Sequence, residues 1–284
     1  MSDPVFRDYS QAALDRQYDQ SKWSRRPPAA YAAEYRARTD AAKAALGAPT
    51  AYAYGDSPAE TLDVYRAAAS EAPVHVFIHG GAWRSMSKAD SGFAAELFVS
   101  RGIHFVALDF GLLPAVDLRE MVVQTRRGLA WVYRNAARFG GNPERIFVSG
   151  HSSGGHLAAC VAVTDWAGAF GLPADLLKGA LCCSGGYDLG PVQLSARNDY
   201  MQLDDAMVAE LSPNRHLDRL GCPLALAVGD AESDDFTRQS VAMAAAGGLP
   251  LHVGRNMDHF EISFTLGDAG GLLADLALRQ IAGA

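Results

Sequence analysis

Cysteine is scarce in this 284-residue chain. The four cysteines are Cys160, Cys182, Cys183 and Cys222, and no two of them form a C-x-x-C pair. They are too few and too clustered for a disulfide framework, and the adjacent pair lies in an apolar run typical of a buried strand. We therefore predict four reduced core cysteines, which suits a reducing compartment.

Long apolar runs and clusters of basic residues are also missing. No stretch approaches 18 uninterrupted apolar residues, which argues against a membrane span, and residues 1–10 lack the apolar centre of an export signal. Lysine and arginine number 25 against 32 acidic residues, a net charge of −7, and no basic run is available to neutralise phosphates. We expect a cytoplasmic protein with no membrane or nucleic-acid partner, and we leave a homodimer open.

Apolar residues are abundant, at 49% of the chain against 20% charged, which allows a large core and excludes disorder and coiled coil. From about Ala51, short apolar runs alternate with longer segments of helical spacing. The predicted strands are Thr61–Tyr65, Val74–Ile78, His104–Leu108, Ile146–Ser149, Gly179–Cys183, Leu224–Val228 and Leu251–Val253. The predicted helices are Ala89–Arg101, Leu118–Phe139, Ser153–Val163, Asp235–Ala246 and Gly270–Ile281. This alternation predicts an α/β fold with a mostly parallel central sheet and helices on both faces.

The first part of the chain, residues 8–46, is rich in alanine, arginine and tyrosine at helical spacing, and Pro27-Pro28 divides it into two helices. Without an internal repeat or a low-complexity linker, we predict one domain over residues 1–284. It comprises an N-terminal helical extension (1–48), which is a candidate lid, and a catalytic core (49–284). Right-handed crossovers bring the carboxyl ends of parallel strands to one edge, so we expect the chemistry there.

The strongest motif is Gly150-His151-Ser152-Ser153-Gly154, which directly follows the predicted strand Ile146–Ser149 and begins the next helix. Such a tight strand-to-helix turn strains the backbone of the serine and requires neighbours without side chains. It would present the Ser152 hydroxyl at the sheet edge as a nucleophile. The alternative is a glycine-rich turn with a serine cap.

A second glycine motif, His79-Gly80-Gly81-Ala82-Trp83, follows the predicted strand Val74–Ile78. Its position is that of the loop that completes the oxyanion hole in hydrolases with such a serine turn. We predict that the backbone N–H groups around Gly81 and Ala82, with that of Ser153, stabilise the charge on a tetrahedral intermediate. The alternative is an ordinary glycine turn with a core tryptophan.

A serine hydroxyl needs a base, and the chain order serine, acid, histidine excludes every histidine before Ser152. His156 lies on the same helix as the serine and cannot reach back over it. His216 precedes the last clear strands, and His252 lies inside the final predicted strand. His259 lies in a polar loop just after that strand, where the base belongs, and is the predicted base.

The acid is expected in the loop after the predicted strand Leu224–Val228, where four carboxylates compete. Asp234 and Asp235 open the next helix, where negative charge complements the helix dipole, so capping accounts for them. Asp230 and Glu232 remain. The residues alone do not separate these two, because a one-residue change in the path of the loop exchanges their positions.

The chain resembles the kynurenine formamidase (arylformamidase) branch of the α/β-hydrolases, and the resemblance spans nearly its whole length. Besides the two glycine motifs, the stretches that carry it are Tyr9-Ser10-Gln11-x-x-Leu14-Asp15-x-Gln17-Tyr18, Ser184-Gly185-x-Tyr187-Asp188-Leu189, Glu232-Ser233-x-x-Phe236-x-Arg238-Gln239-Ser240 and Asp258-His259-Phe260-Glu261. The resemblance implies an α/β-hydrolase fold and places the catalytic acid on Glu232. The chain departs from many relatives at Asp109-Phe110-Gly111-Leu112-Leu113-Pro114, a loop that borders the pocket in related hydrolases.

The resemblance implies a serine hydrolase that cleaves an aryl formamide of the N-formylkynurenine type through an acyl-enzyme, and we expect no cofactor and no metal. A carboxylesterase of broad short-acyl specificity is the alternative, and a non-catalytic ligand-binding protein on this scaffold is a remote one. We take Trp83 and His151 as candidate substrate-binding residues. Tyr9, Tyr18 and Trp23 of the extension are further candidates for an aromatic wall.

Overall fold

Eight strands form one sheet in the computed structural model, which describes residues 3–284; residues 1 and 2 of the predicted extension lie outside the described residues. The strands are β1 (Thr50–Ala53), β2 (Thr61–Tyr65), β3 (Ala72–Ile78), β4 (His104–Leu108), β5 (Gly141–His151), β6 (Leu177–Cys183), β7 (Leu224–Gly229) and β8 (Leu251–Gly254). Their order across the sheet is β1-β2-β4-β3-β5-β6-β7-β8. β2 is antiparallel to both of its neighbours and the remaining pairs are parallel, so the predicted mostly parallel sheet is confirmed.

Helices cover both faces of the sheet, as predicted. They are α1 (Gln11–Tyr18), α2 (Pro28–Leu46), α3 (Ala95–Ser100), α4 (Leu118–Asn135), α5 (Ser153–Ala162), α6 (Trp166–Phe170), α7 (Leu189–Leu194), α8 (Asn198–Met201), α9 (Asp205–Leu211), α10 (Asp234–Gly247), α11 (Glu261–Phe264) and α12 (Leu272–Ala282). Alternate residues of a strand point to opposite faces. Val74, Val76 and Ile78 pack with α4 and α5 on one face, whereas Phe77 and Phe105 pack with α2, α3 and α12 on the other.

Several elements differ from the sequence-based expectation. Helix α3 is shorter than the predicted span 89–101. The chain before it packs at Gly92 so tightly against Tyr65 that a Cβ there would lie 2.2 Å from the tyrosine hydroxyl oxygen, and the helix begins only after this contact. Strand β1 and the short helices α7 to α9, between β6 and β7, were not expected. They are four to seven residues long, too short for a periodic pattern to emerge.

The four cysteines are all buried and unpaired, as predicted. Burial raises the pKa of the Cys160 and Cys222 thiols to about 12, so both are protonated at neutral pH and weakly nucleophilic. Within residues 3–284, no helix is both long and apolar enough to cross a membrane.

Candidate active site

The turn between β5 and α5 holds Ser152 in a strained conformation. Its backbone angles are φ 57° and ψ −124°, and a positive φ is uncommon for serine. A Cβ on Gly150 would lie 2.0 Å from the Gly154 carbonyl oxygen, and a Cβ on Gly154 would lie 2.1 Å from that of Ile78. Backbone therefore fills the space on both sides of the serine, which explains why this turn needs glycine at both positions.

The three side chains of the predicted triad meet at the carboxyl edge of the sheet. His259 Nε2 lies 2.8 Å from Ser152 Oγ, and His259 Nδ1 lies 2.7 Å from Glu232 Oε2. None of the three residues is more than 7% exposed. Because the Nδ1–H donates to the carboxylate, Nε2 is free to accept the serine proton. This arrangement can turn a hydroxyl into a nucleophile.

The carboxylate of Glu232 is fixed by two further donors. Its Oε1 accepts the backbone N–H of Gly229 at 2.7 Å and the hydroxyl of Ser184 at 2.5 Å. Ser184 directly follows β6, the strand next to β7, so adjacent strand ends supply both the acid and its support. Ser184 is a site residue to which the sequence motifs assign no role, although its place at a strand end is a usable signal.

The structure distinguishes Glu232 from Asp230, the two candidates for the acid between which the sequence alone does not decide. Asp230 accepts a backbone N–H at 2.6 Å and its side chain is 34% exposed, whereas Glu232 contacts the histidine. Asp234 and Asp235 lie in the first turn of α10, but the side chain that caps this helix belongs to Ser233. The expectation of capping is therefore corrected for both residues, while their place at the positive end of the helix dipole agrees with it.

The loop after β3 presents free backbone donors. Gly81, Ala82 and Trp83 have φ values of 103°, 53° and 60°, an unusual left-handed run. Among the described residues, no acceptor pairs with the N–H groups of Gly81, Ala82 or Ser153. The last of these lies at the N-terminus of α5, where the helix dipole also favours an anion. All three donors stay candidates for binding an oxyanion.

Ser152 and His259 line a cavity of about 650 Å³. Much of its wall comes from the N-terminal extension, which contributes aromatic side chains. Charged side chains of both signs also reach it. The lining residues are Asp15, Tyr18, Asp19, Gln20, Ser21, Pro28, Tyr31, Ala32, Tyr35, Gly81, Ala82, Arg84, Ser85, Met86, His151, Ser152, Ala196, Arg197, Asp199, Tyr200, His259 and Phe260.

Of the two predicted substrate-binding residues, one lines this cavity and the other does not. Trp83 is 2% exposed and its indole N–H donates to His156 Nδ1 at 3.3 Å, so it belongs to the core and leaves the set of candidates. Of the aromatic wall, Tyr18 lines the cavity, but Tyr9 and Trp23 do not.

His151 lines the cavity and also contacts the base. Its Nε2 lies 2.6 Å from the backbone oxygen of His259 and donates to it. Burial, together with the neighbouring His259, holds the pKa of His151 well below its usual range, so its ring is neutral at neutral pH. A neutral ring adds no positive charge beside the base.

Solved structures share this fold. A protein from Silicibacter sp. TM1040, provisionally assigned as a thioesterase, superposes with a TM-score of 0.84 at 22% identity, over 93% of this chain and 98% of that one. Esterase B from Lactobacillus rhamnosis superposes with a TM-score of 0.69 at 21% identity, over 90% and 93% of the two chains. These likenesses show that the chain has the α/β-hydrolase fold.

Relatives identified by sequence show to which family within this fold the chain belongs. Kynurenine formamidase from Danio rerio is 32% identical over 99% of this chain and 99% of the relative, and that from Salmo salar is 29% identical over 97% and 98%. The family model BD-FAE matches residues 62–176. The chain belongs to the kynurenine formamidase family.

Proposed function

We propose that this α/β-hydrolase is a serine arylformamidase that hydrolyses an N-formylated aromatic amine of the N-formylkynurenine type. The observation that carries the proposal is the unbroken hydrogen-bonded series from Glu232 through His259 to Ser152, whose hydroxyl end lies on the cavity wall. Each member of this series has the partner that its chemical task requires.

The reaction follows from this geometry. His259 Nε2 takes the hydroxyl proton as Ser152 Oγ attacks the formyl carbon, and the backbone N–H groups around Ala82 and that of Ser153 stabilise the oxyanion. The imidazolium, stabilised by Glu232, gives its proton to the departing amine nitrogen, which leaves a formyl ester on the serine. Water then attacks this ester as the same histidine accepts its proton. The imidazolium returns this proton to Ser152 Oγ as the ester bond breaks, and formate is released.

The cavity wall supports an aromatic substrate with a charged end. The rings of Tyr31 and Phe260 are stacked at 4.7 Å and both reach the cavity, while Arg197 and Asp199 contribute charges of opposite sign. N-formylkynurenine combines an aryl formamide with an α-amino acid group, so it offers partners for both kinds of wall. Membership of the kynurenine formamidase family supports the same substrate.

A carboxylesterase of broad short-acyl specificity is the second candidate. The structural likeness to esterases favours it, since the same catalytic groups cleave esters, whose alcohol leaves more easily than an amine. The segment 109–114, which departs from the pattern of many relatives, contributes no residue to the cavity lining in the described chain. Phe110 instead stacks on His79 at 4.4 Å, so this departure does not discriminate between the two candidates.

An aryl fluorophosphonate followed by peptide mapping tests the nucleophile. We expect the label on Ser152 and no label on the Ser152→Ala variant. A panel of N-formylkynurenine, formanilide and p-nitrophenyl esters of increasing chain length then tests the substrate, and we expect the highest kcat/KM for N-formylkynurenine. Hydrolysis of this compound no faster than that of aryl acetates would favour the esterase, and ligand binding without any turnover would favour a non-catalytic protein.

We further propose a cytoplasmic location, which the four unpaired, buried thiols support. A homodimer stays open, and sedimentation equilibrium measures it directly.

A further inference from the structure

Residues 17–31, which we call the N-terminal strut, contact the loop that carries the catalytic acid. Gln20 Nε2 donates to Ser233 Oγ at 2.8 Å, and Ser233 directly follows the acid in the chain. The side-chain oxygen of Gln17 accepts the backbone N–H of Asp235 at 3.0 Å. All these residues are at most 6% exposed, so water competes weakly for the bonds.

The same strut contacts the loop that carries the base, through Asp258. Oδ2 of this carboxylate accepts the backbone N–H of Arg25 at 2.8 Å and the hydroxyl of Tyr31 at 2.5 Å. Oδ1 accepts the backbone N–H groups of Phe260 and Glu261, each at 2.9 Å. Asp258 is 0% exposed and immediately precedes the catalytic histidine, so one carboxylate joins both sides of this loop to the strut.

The protonation states favour this bridge. Burial tends to raise the pKa of Asp258, but hydrogen bonds from Tyr31 and from three backbone N–H groups lower it below the usual range, so the carboxylate is charged. Burial and the neighbouring carboxylate raise the pKa of Tyr31, so its hydroxyl keeps its proton and donates. Hydrogen bonds to a charged acceptor are stronger than neutral ones.

A purely local role does not account for these contacts. A carboxylate that only shaped the turn into α11 would need the two bonds of Oδ1. Both bonds of Oδ2 instead reach residues more than 220 positions earlier in the chain, on the strut. The ring of Tyr31 also stacks on that of Phe260, on the other side of the histidine, at 4.7 Å.

We propose that Asp258 is a positioning residue for His259, and that the N-terminal strut acts as a fixed support for the base and acid loops rather than as a lid. The inference rests on the proposed serine-hydrolase function, because positioning matters only if the imidazole activates Ser152. The strut holds the imidazole at the distance from which Nε2 can take the serine proton.

Two variants test this role with a matched control. Tyr31→Phe removes only one hydroxyl from the strut, and Asp258→Asn keeps an acceptor for the two bonds within the loop but places an amide group where Oδ2 receives two donors. The control is Tyr133→Phe, which removes a tyrosine hydroxyl bonded at 3.2 Å to the exposed Glu144 on another part of the surface. The double variant Tyr31→Phe/Asp258→Asn completes a cycle.

The first readout is labelling by the fluorophosphonate, whose extent counts competent sites and whose rate constant reports activation of the serine. We expect a labelling rate constant about 10- to 100-fold lower in both single variants. The loss in the double variant should be smaller than the product of the two single losses, and the rate constant of the control should equal that of the wild type. For p-nitrophenyl acetate, kcat should fall by a similar factor while KM changes by less than about threefold. A merely structural role would lower the extent and the melting temperature but leave the rate constant unchanged, and would overturn the proposal.

The second readout needs no turnover. The proton between His259 Nδ1 and Glu232 should give a far-downfield NMR resonance in the wild type, and we expect it to broaden or disappear in Asp258→Asn through faster exchange with water. An unchanged resonance would overturn the positioning role. If wild-type Ser152 took no label while the resonance behaved as expected, the proposed function would fail and the positioning of the imidazole would stand.

Discussion

Replacing Glu232 by glutamine should disable the enzyme by forcing the wrong tautomer on its base. The Oε1 position faces the backbone N–H of Gly229, a donor that cannot turn round, so the amide oxygen of the glutamine has to occupy it. The NH₂ group then faces His259 Nδ1 across 2.7 Å, where two donors repel each other. The ring relieves this by moving its proton to Nε2, which can no longer accept the proton of Ser152.

The loss expected from this change is large. A wrong tautomer in a serine–histidine–acid site lowers kcat by about 10³- to 10⁴-fold, which corresponds to about 4 to 5.5 kcal/mol of transition-state stabilisation. The assay is kcat for N-formylkynurenine and p-nitrophenyl acetate, with urea unfolding as the measure of folding. Asp230→Asn is the matched control, because this side chain is partly exposed, accepts the backbone N–H of Asn256 in the loop after β8 and makes no hydrogen bond to His259. The asparagine keeps an acceptor for that N–H, so kcat should change by less than about threefold. A larger loss in the control than in Glu232→Gln would refute the reasoning.

Two further predictions concern stability. Gly154→Ala would place a Cβ 2.1 Å from the Ile78 carbonyl oxygen, so we expect urea unfolding to show a free energy of unfolding lower by at least about 3 kcal/mol. The control is Gly186→Ala, whose Cβ would meet nothing closer than 3.6 Å and should lower this free energy by less than about 1 kcal/mol. Equal losses in the two variants would contradict the steric account. The lowered pKa of Asp258 means that its contribution to stability is present above the ordinary pKa of aspartate and is lost as the pH falls towards its value in the folded state. The stability difference between wild type and Asp258→Asn should therefore shrink below about pH 4 in urea midpoints measured from pH 7 to pH 3, and a difference independent of pH would argue against the charged bridge.

The parallel sheet and the serine turn could be predicted because their signals are local. Strand β4 agrees with the predicted His104–Leu108 at both ends, since five apolar or half-apolar residues in a row lie buried on both faces. The turn around Ser152 is readable because backbone crowding excludes side chains at fixed offsets. Strand β1 gave no such signal, because the edge strand Thr50–Ala53 is mostly exposed and its side chains show no alternation between buried and exposed positions.

The choice of acid and the lining of the cavity depend on contacts that no local pattern records. Glu232 faces the base because Ser184, from the neighbouring strand end, and Gly229 hold its other oxygen. A tryptophan side chain can line a pocket or pack in a core. Trp83 lies in the core, in a loop whose backbone has three consecutive positive φ values. The support from Tyr31 is equally invisible, because its partner lies 227 residues away.

The strut and the residues that it contacts are far apart in the chain, so the ribosome synthesises them at different times. Residues 17–31 are made early, but the groups that they contact, from Ser233 to Asp258, follow only after more than 200 further residues. A nascent chain that has passed the serine turn therefore contains the proposed nucleophile but neither the proposed base nor the contacts with the strut. We therefore expect a chain released just after the serine turn to be inactive, because the groups that would activate Ser152 are synthesised later.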